Sequence, residues 1–217
     1  MIKAFESKRK GPAENRSFCK TLTDEGRTIQ LGAVLWAEPS EEGLLAMEYL
    51  KTRLDQLAEE QKNQLFDLPF DRQKALWLDL LLRLDKELSY IGTVRKTLYR
   101  AGLSFLFLQD GNYFCIDCED AHAFLFSQGL LRCISNGADR TMTPFGTGEA
   151  HPSPSDGVLP AGAVLLLSAE AFSGPLHRSL EEALADQGKE PEAICAFTEK
   201  TTGSKNSVVL LDEEAFL

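Results

Sequence analysis

No stretch of the 217-residue sequence is apolar enough, for long enough, to cross a membrane as a helix. The longest apolar run, Leu159 to Leu167, is short and already interrupted by Pro160 and Gly162. Cysteine is scarce: Cys19, Cys115, Cys118, Cys133 and Cys195 make an odd and scattered set of five. That excludes a disulfide scaffold, and the thiols are expected to be reduced and mostly buried. Positive charge is in deficit, with 23 Lys and Arg against 33 Asp and Glu and a formal net charge of −10. An acidic surface repels phosphate backbones and anionic headgroups, so nucleic-acid and membrane-surface binding are disfavoured. Met1 to Glu6 lacks an apolar signal-peptide core, and the expectation is a cytoplasmic protein. Internal repeats are not visible.

What is present reads as one globular domain over residues 1–217. Hydrophobic residues at 43% and charged residues at 26% supply a core and a solvated surface, which a disordered chain lacks. Alternation and apolar runs predict strands at Ile2 to Glu6, Phe18 to Leu22 and Ile29 to Trp36. Leu44, Met47, Leu50, Leu54 and Leu57 fall in steps of three and four, which predicts a helix from Glu41. After a break at Asp67 to Phe70, with Asp71 as the expected N-cap, Leu76, Trp77, Leu80, Leu81, Leu84 and Leu88 form the wide stripe of a second, well-buried helix.

The next block is all strand. Leu103 to Leu108, the Asp110-Gly111 turn, Asn112 to Asp117, Ala121 to Phe126 and Leu130 to Ile134 read as an antiparallel meander. Asn136 to Gly157, rich in Gly, Pro, Ser and Thr, reads as a loop long enough to be a functional flap or a mobile segment. A buried strand at Ala163 to Ser168, helices from Leu176 to Gln187 and from Pro191, and a strand at Ser207 to Leu211 complete the chain. Strands and helices come in blocks rather than in alternation. That predicts α+β, antiparallel sheets covered by helices.

Five ordered segments resemble the metal-dependent protein phosphatases of type 2C. They are Glu14-Asn15-Arg16-Ser17-Phe18; the strand Gly32 to Trp36 ending in Ala37-Glu38-Pro39; Cys118-Glu119-Asp120-Ala121-His122-Ala123-Phe124-Leu125; Leu159-Pro160-Ala161-Gly162-Ala163 leading to Ser168-Ala169-Glu170; and Gly203-Ser204-Lys205-Asn206-Ser207 before Val208 and Val209. The resemblance implies a sandwich of two antiparallel sheets flanked by helices. It also implies a chemistry in which two divalent cations, Mn or Mg, held by carboxylates, activate a water against phosphoserine or phosphothreonine.

The same resemblance locates departures. The bridging Asp falls on Ala37, the N-terminal acidic pair on Arg16 and Ser17, and the Asp of the last motif on Lys205. The phosphate-binding Arg falls on Pro12, close to Lys8, Arg9 and Lys10. Carboxylates remain only at Asp120 and at Glu170, with Glu38 one residue from the Ala37 position. Ser17, Ala37, Glu38, Asp120, Glu170 and Lys205 are thus the degenerate metal-site positions, and the expectation is a pseudophosphatase with no catalytic residues and no required cofactor. Asp120 and Glu170 either hold a single cation or pair with Lys205. Arg16, His122 and Lys205 are the candidate anion-binding set. The expected role is a regulatory module for a protein partner, such as a phosphoprotein or a kinase. The alternative is an active Mn- or Mg-dependent serine/threonine phosphatase with ligands relocated to Glu38, Asp120 and Glu170.

Two further signals carry less. Cys115-Ile116-Asp117-Cys118 has the spacing of a zinc or redox pair, but residues three apart on a strand point to opposite faces, so the sulfurs should diverge. His122, His151 and His177 are far apart in sequence, and His122, at the resemblance's Arg position, is expected to be a packed strand residue.

Overall fold

Alternation along the strands sorts side chains into three apolar layers, and those layers define the architecture. In a computed structural model that describes residues 2–6, 14–118, 122–135, 143–169, 175–186, 190–202 and 207–212, the strand β4 (Gly102–Gln109) shows the sorting most clearly. Leu103, Phe105 and Phe107 join the core under the helices, whereas Leu106 and Leu108 join the core between the sheets.

One sheet holds β2 (Glu14–Asp24), β3 (Arg27–Ala37), β4, β5 (Asn112–Cys118) and β8 (Ser153–Val158), side by side in that order. The other has the order β1-β10-β9-β6-β7, with β1 (Ile2–Glu6), β6 (His122–Ser127), β7 (Leu130–Cys133), β9 (Val164–Ser168) and β10 (Ser207–Asp212). Every pairing is antiparallel.

The helices α1 (Glu41–Glu60), α2 (Lys62–Asp67) and α3 (Phe70–Arg95) cover the first sheet; Trp77 and Leu81 pack with Phe105 and Phe114 in that core. The helices α4 (Pro175–Asp186) and α5 (Pro191–Thr202) cover the second through Leu180, Leu184, Ile194 and Cys195. The result is the four-layer α+β sandwich that the block pattern predicts. No helix among the described residues is long and apolar enough to cross a membrane.

Four expectations are corrected. The meander does not stay in one sheet: β4 and β5 pair, but β6 pairs with β9 and β7, so the chain crosses the sandwich between Cys118 and His122. A strand is specified by its own alternation, and its sheet by long-range partners. The 136–157 loop contains β8, which pairs with β5 from Asn112↔Val158 to Asp117↔Ser153. Its sequence, Ser-Pro-Ser-Asp-Gly-Val, escapes the apolar criterion because it is an edge strand with an exposed face, a sheet position that tolerates proline.

The segment ahead of β8 is tied down rather than loose. Phe145 is fully buried, and the Asp85 carboxylate of α3 accepts hydrogen bonds from the backbone N–H of Gly146 (2.7 Å), Gly148 (3.2 Å) and Ala150 (2.9 Å). Gly146 has φ +96°, and a Cβ there would lie 1.8 Å from the Tyr99 carbonyl oxygen. Residues 136–142, also in that expected loop, lie outside the described residues. Finally, Asp71 is not the N-cap of α3; Pro69 is, with ψ 154°, and Asp71 sits in the first turn, where its charge favours the helix dipole.

Candidate functional site

The resemblance points to one end of the sandwich. There β3 ends at Ala37, β4 begins beside it at Trp36↔Gly102, and β5 ends at Cys118↔Leu103. On the facing sheet Ser168 is paired with both His122 and Val208, so β6 and β10 begin where β9 ends. β5 ends at Cys118 in one sheet, and β6 begins at His122 in the other. Asp120, Glu170 and Lys205 belong to segments 119–121, 170–174 and 203–206, which lie outside the described residues.

Ala37 is 2% exposed, so its methyl is part of the helix-side core. The chain turns immediately after it: Ser40 caps α1, its Oγ accepting the Gly43 N–H at 3.0 Å. The turn is close-packed, since a Cβ on Gly43 would lie 2.5 Å from the Glu38 carbonyl oxygen and 3.0 Å from Ala37 Cβ. Glu38 is exposed, on the rim of a small pocket of about 230 Å³ whose walls include Trp36, Ala37, Ser40, Leu98 and Arg100.

The Ser17 N–H donates to Glu6 Oε1 at 2.7 Å and its hydroxyl to the same oxygen at 3.3 Å, while Lys51 Nζ lies 3.0 Å away. Burial works to raise the Glu6 pKa, but the Ser17 N–H and then Lys51 outweigh it and hold the carboxyl below its ordinary value. Glu6 thereby ties β1, β2 and α1 together, and Ser17 is engaged in that tie.

Arg16 turns to the other face of β2. Its Nε donates to Glu48 Oε1 of α1 at 2.7 Å. The His122 ring lies 6.1 Å from that of Phe124, which is itself 6.5 Å from His177 on α4. Arg16 and His122 therefore stand on opposite outer sides of the sandwich, and the structure does not bring them together as an anion-binding set. Strand parity decides this, each residue falling on the outward face of a different sheet.

Cys115 and Cys118 diverge as their spacing requires, Cys115 into the core between the sheets and Cys118 into the core under the helices. Among the described residues no group of three or more His, Cys, Asp or Glu is arranged to hold a metal. Of the described positions, Ala37 offers no side-chain oxygen, and the Ser17 hydroxyl donates to Glu6.

A buried acid nearby is not singled out by the sequence. Register aligns Ser17, Val34, Ser104, Asp117 and Ser153 in one cross-strand row, on the face where Val34 meets the core between the sheets. Asp117 is fully buried, and the Ser104 hydroxyl donates to its Oδ1; Oδ2 has no hydrogen-bond partner among the described residues. Burial pushes its pKa up to about 7, against the pull of the Ser104 and Ser135 hydroxyls. Ser135 also accepts the Ala123 N–H at 2.7 Å, which ties the end of β7 to β6. The available signal was parity: Asp117 shares the face of Cys115, two residues earlier in a buried strand.

No protein-family model matches the sequence, and no curated protein does. Solved structures do. A serine/threonine phosphatase of S. agalactiae superposes with a TM-score of 0.69 at 11% identity, over 97% of this chain and 98% of that one. The Mycobacterium tuberculosis serine/threonine phosphatase PstP/Ppp gives 0.64 at 13% identity, over 92% and 98%. RsbX, solved in complex with magnesium, gives 0.60 at 13% identity, over 96% and 92%. Identities this low establish architecture and not chemistry: the chain has the α+β sandwich fold of the bacterial type 2C serine/threonine phosphatases.

Proposed function

We propose that the chain is a catalytically impaired phosphatase-2C-like domain that works as a binding or regulatory module for a phosphoprotein, a kinase or an anion. The observation that carries the reading is Ala37. At the strand end where the resemblance requires a bridging carboxylate, this chain has a buried methyl, held by the tight turn into α1. Phosphoryl transfer depends chiefly on neutralising charge as it develops, and a site that cannot bridge two cations loses that term together with the activated water. Ser17 and Arg16, at two more degenerate positions, are occupied with Glu6 and Glu48. Lys205 adds to the reading from sequence, since a cation at a ligand position opposes metal entry by charge as well as by lost coordination.

One observation favours the alternative of an active Mn- or Mg-dependent phosphatase. Glu38, next to Ala37, is exposed on the pocket rim, where its carboxylate is accessible to a relocated metal site with Asp120 and Glu170. Hydrolysis of para-nitrophenyl phosphate with excess Mn²⁺ separates the two. Background turnover is expected. Robust metal-dependent hydrolysis that disappears in Asp120→Ala or Glu170→Ala would overturn the impaired reading.

A further inference from the structure

Six large apolar side chains are exposed among the described residues, and three of them, Leu45, Tyr90 and Val94, line one groove. Leu45 (44% exposed) lies on α1, Tyr90 (70%) and Val94 (63%) lie on α3, and Leu98 (53%) follows the end of α3. Between the two helices runs a groove of about 600 Å³ with Leu45, Tyr49, Leu88, Ile91 and Tyr99 among its walls. Chance scatter leaves exposed apolar residues single; a ridge beside a groove of the same character marks an interface.

At one end of this face the charges divide between the two helices. The helices are antiparallel: Tyr49 donates to Glu87 at 2.9 Å, Arg53 reaches the same carboxylate, and Leu45 shares the groove with Val94 and Arg95. The acidic first turn of α1, Glu41 and Glu42, thus lies beside the basic end of α3, Arg95 and Lys96. Glu41 precedes Leu45 by one turn and shares its face.

We propose that this face is a self-association surface, on which a second copy of the chain docks about a two-fold axis parallel to α1 and α3. Such an axis keeps position along the helices and exchanges α1 for α3. The acidic N-terminus of α1 in each copy then faces the basic C-terminus of α3 in the other, and each pair of opposed helix ends has opposite dipole charge. The Tyr90 and Val94 ridge of each copy meets the groove of its mate. The walls of the groove do not include Ala37 or Glu38, although Leu98 also lines the pocket beside them, and self-association is read by a measurement separate from catalysis.

Sedimentation velocity on the full chain, from low to high micromolar concentration, tests this. A reversible dimer is expected. Tyr90→Glu and Val94→Glu, at exposed positions that leave the core untouched, should each weaken association by about tenfold or more while the thermal melt stays unchanged. Glu41→Lys and Arg95→Glu should each weaken it through like charges, and mixing those two variants should restore dimers, because the two-fold arrangement then pairs opposite charges in both symmetry-related contacts. A wild type that stays monomeric throughout overturns the proposal and leaves the face to a different partner. A dimer that survives Tyr90→Glu and Val94→Glu overturns it as well, and a charge-swapped mixture that fails to recover overturns the two-fold geometry.

Discussion

At the scale of the residue, Asp117 and Glu6 show how the same functional group acquires opposite behaviour from its surroundings. Asp117 faces two hydroxyls in the core between the sheets and is pushed up to about 7 from an ordinary 3.8. The native state therefore holds that proton more tightly than the unfolded chain does. Stability falls as pH rises from about 4 to about 7 and is flat above, because beyond both values neither state binds the proton. Asp117→Asn should remove this slope and make the protein more stable than wild type near pH 8, by a few kcal/mol in order of magnitude. Urea denaturation of both proteins at mildly acidic and mildly alkaline pH measures it; parallel curves at both would sink the assignment. Glu6 acts in the other sense. Its folded pKa lies below the ordinary 4.5, so its contribution is present above that value and is lost as pH falls through the folded pKa.

At the scale of the element, Asp85 joins α3 to the segment before β8. Its two carboxylate oxygens accept three backbone N–H groups that would otherwise be buried without partners. Asp85→Ala should therefore cost about 3 kcal/mol or more, with new protease cleavage between residues 143 and 150 as the local readout. The helix itself should persist, since its hold on the sheet comes from Trp77, Leu81 and Leu84. Equal protease resistance in the variant would mean that the strap is held by Phe145 and the Ala101↔Phe145 bridge alone.

At the scale of the whole molecule, the proposed impaired reading has consequences for what a restored metal centre would require. Ala37→Asp by itself places a carboxylate where a methyl is 2% exposed, so it should destabilise the protein by roughly 2 kcal/mol or more without creating a metal site. Lys205→Asp alone leaves the bridging ligand missing. The double variant is the one expected to gain Mn²⁺ affinity, seen by calorimetry, and to recover part of the lost stability when Mn²⁺ is added. Tight Mn²⁺ binding by the wild type would show that Glu38, Asp120 and Glu170 already suffice.

The sequence by itself determined the elements and their class. Repeats of three and four in Leu44 to Leu57 and the apolar runs of Leu103 to Leu108 and Ala163 to Ser168 are local patterns, and a helix or strand forms from local geometry. Parity on a single strand likewise separated Cys115 from Cys118. Only the tertiary structure decided that the chain changes sheets between Cys118 and His122, that the polar strand Ser153–Val158 pairs with β5, and that Arg16 and His122 face away from each other. It also decided that Asp85, an acid between Leu81 and Leu88 on an apolar stripe, has its partners more than sixty residues away. Each of these is fixed by which distant backbone satisfies a hydrogen bond or covers a face, and nothing in a residue's near neighbours encodes that choice.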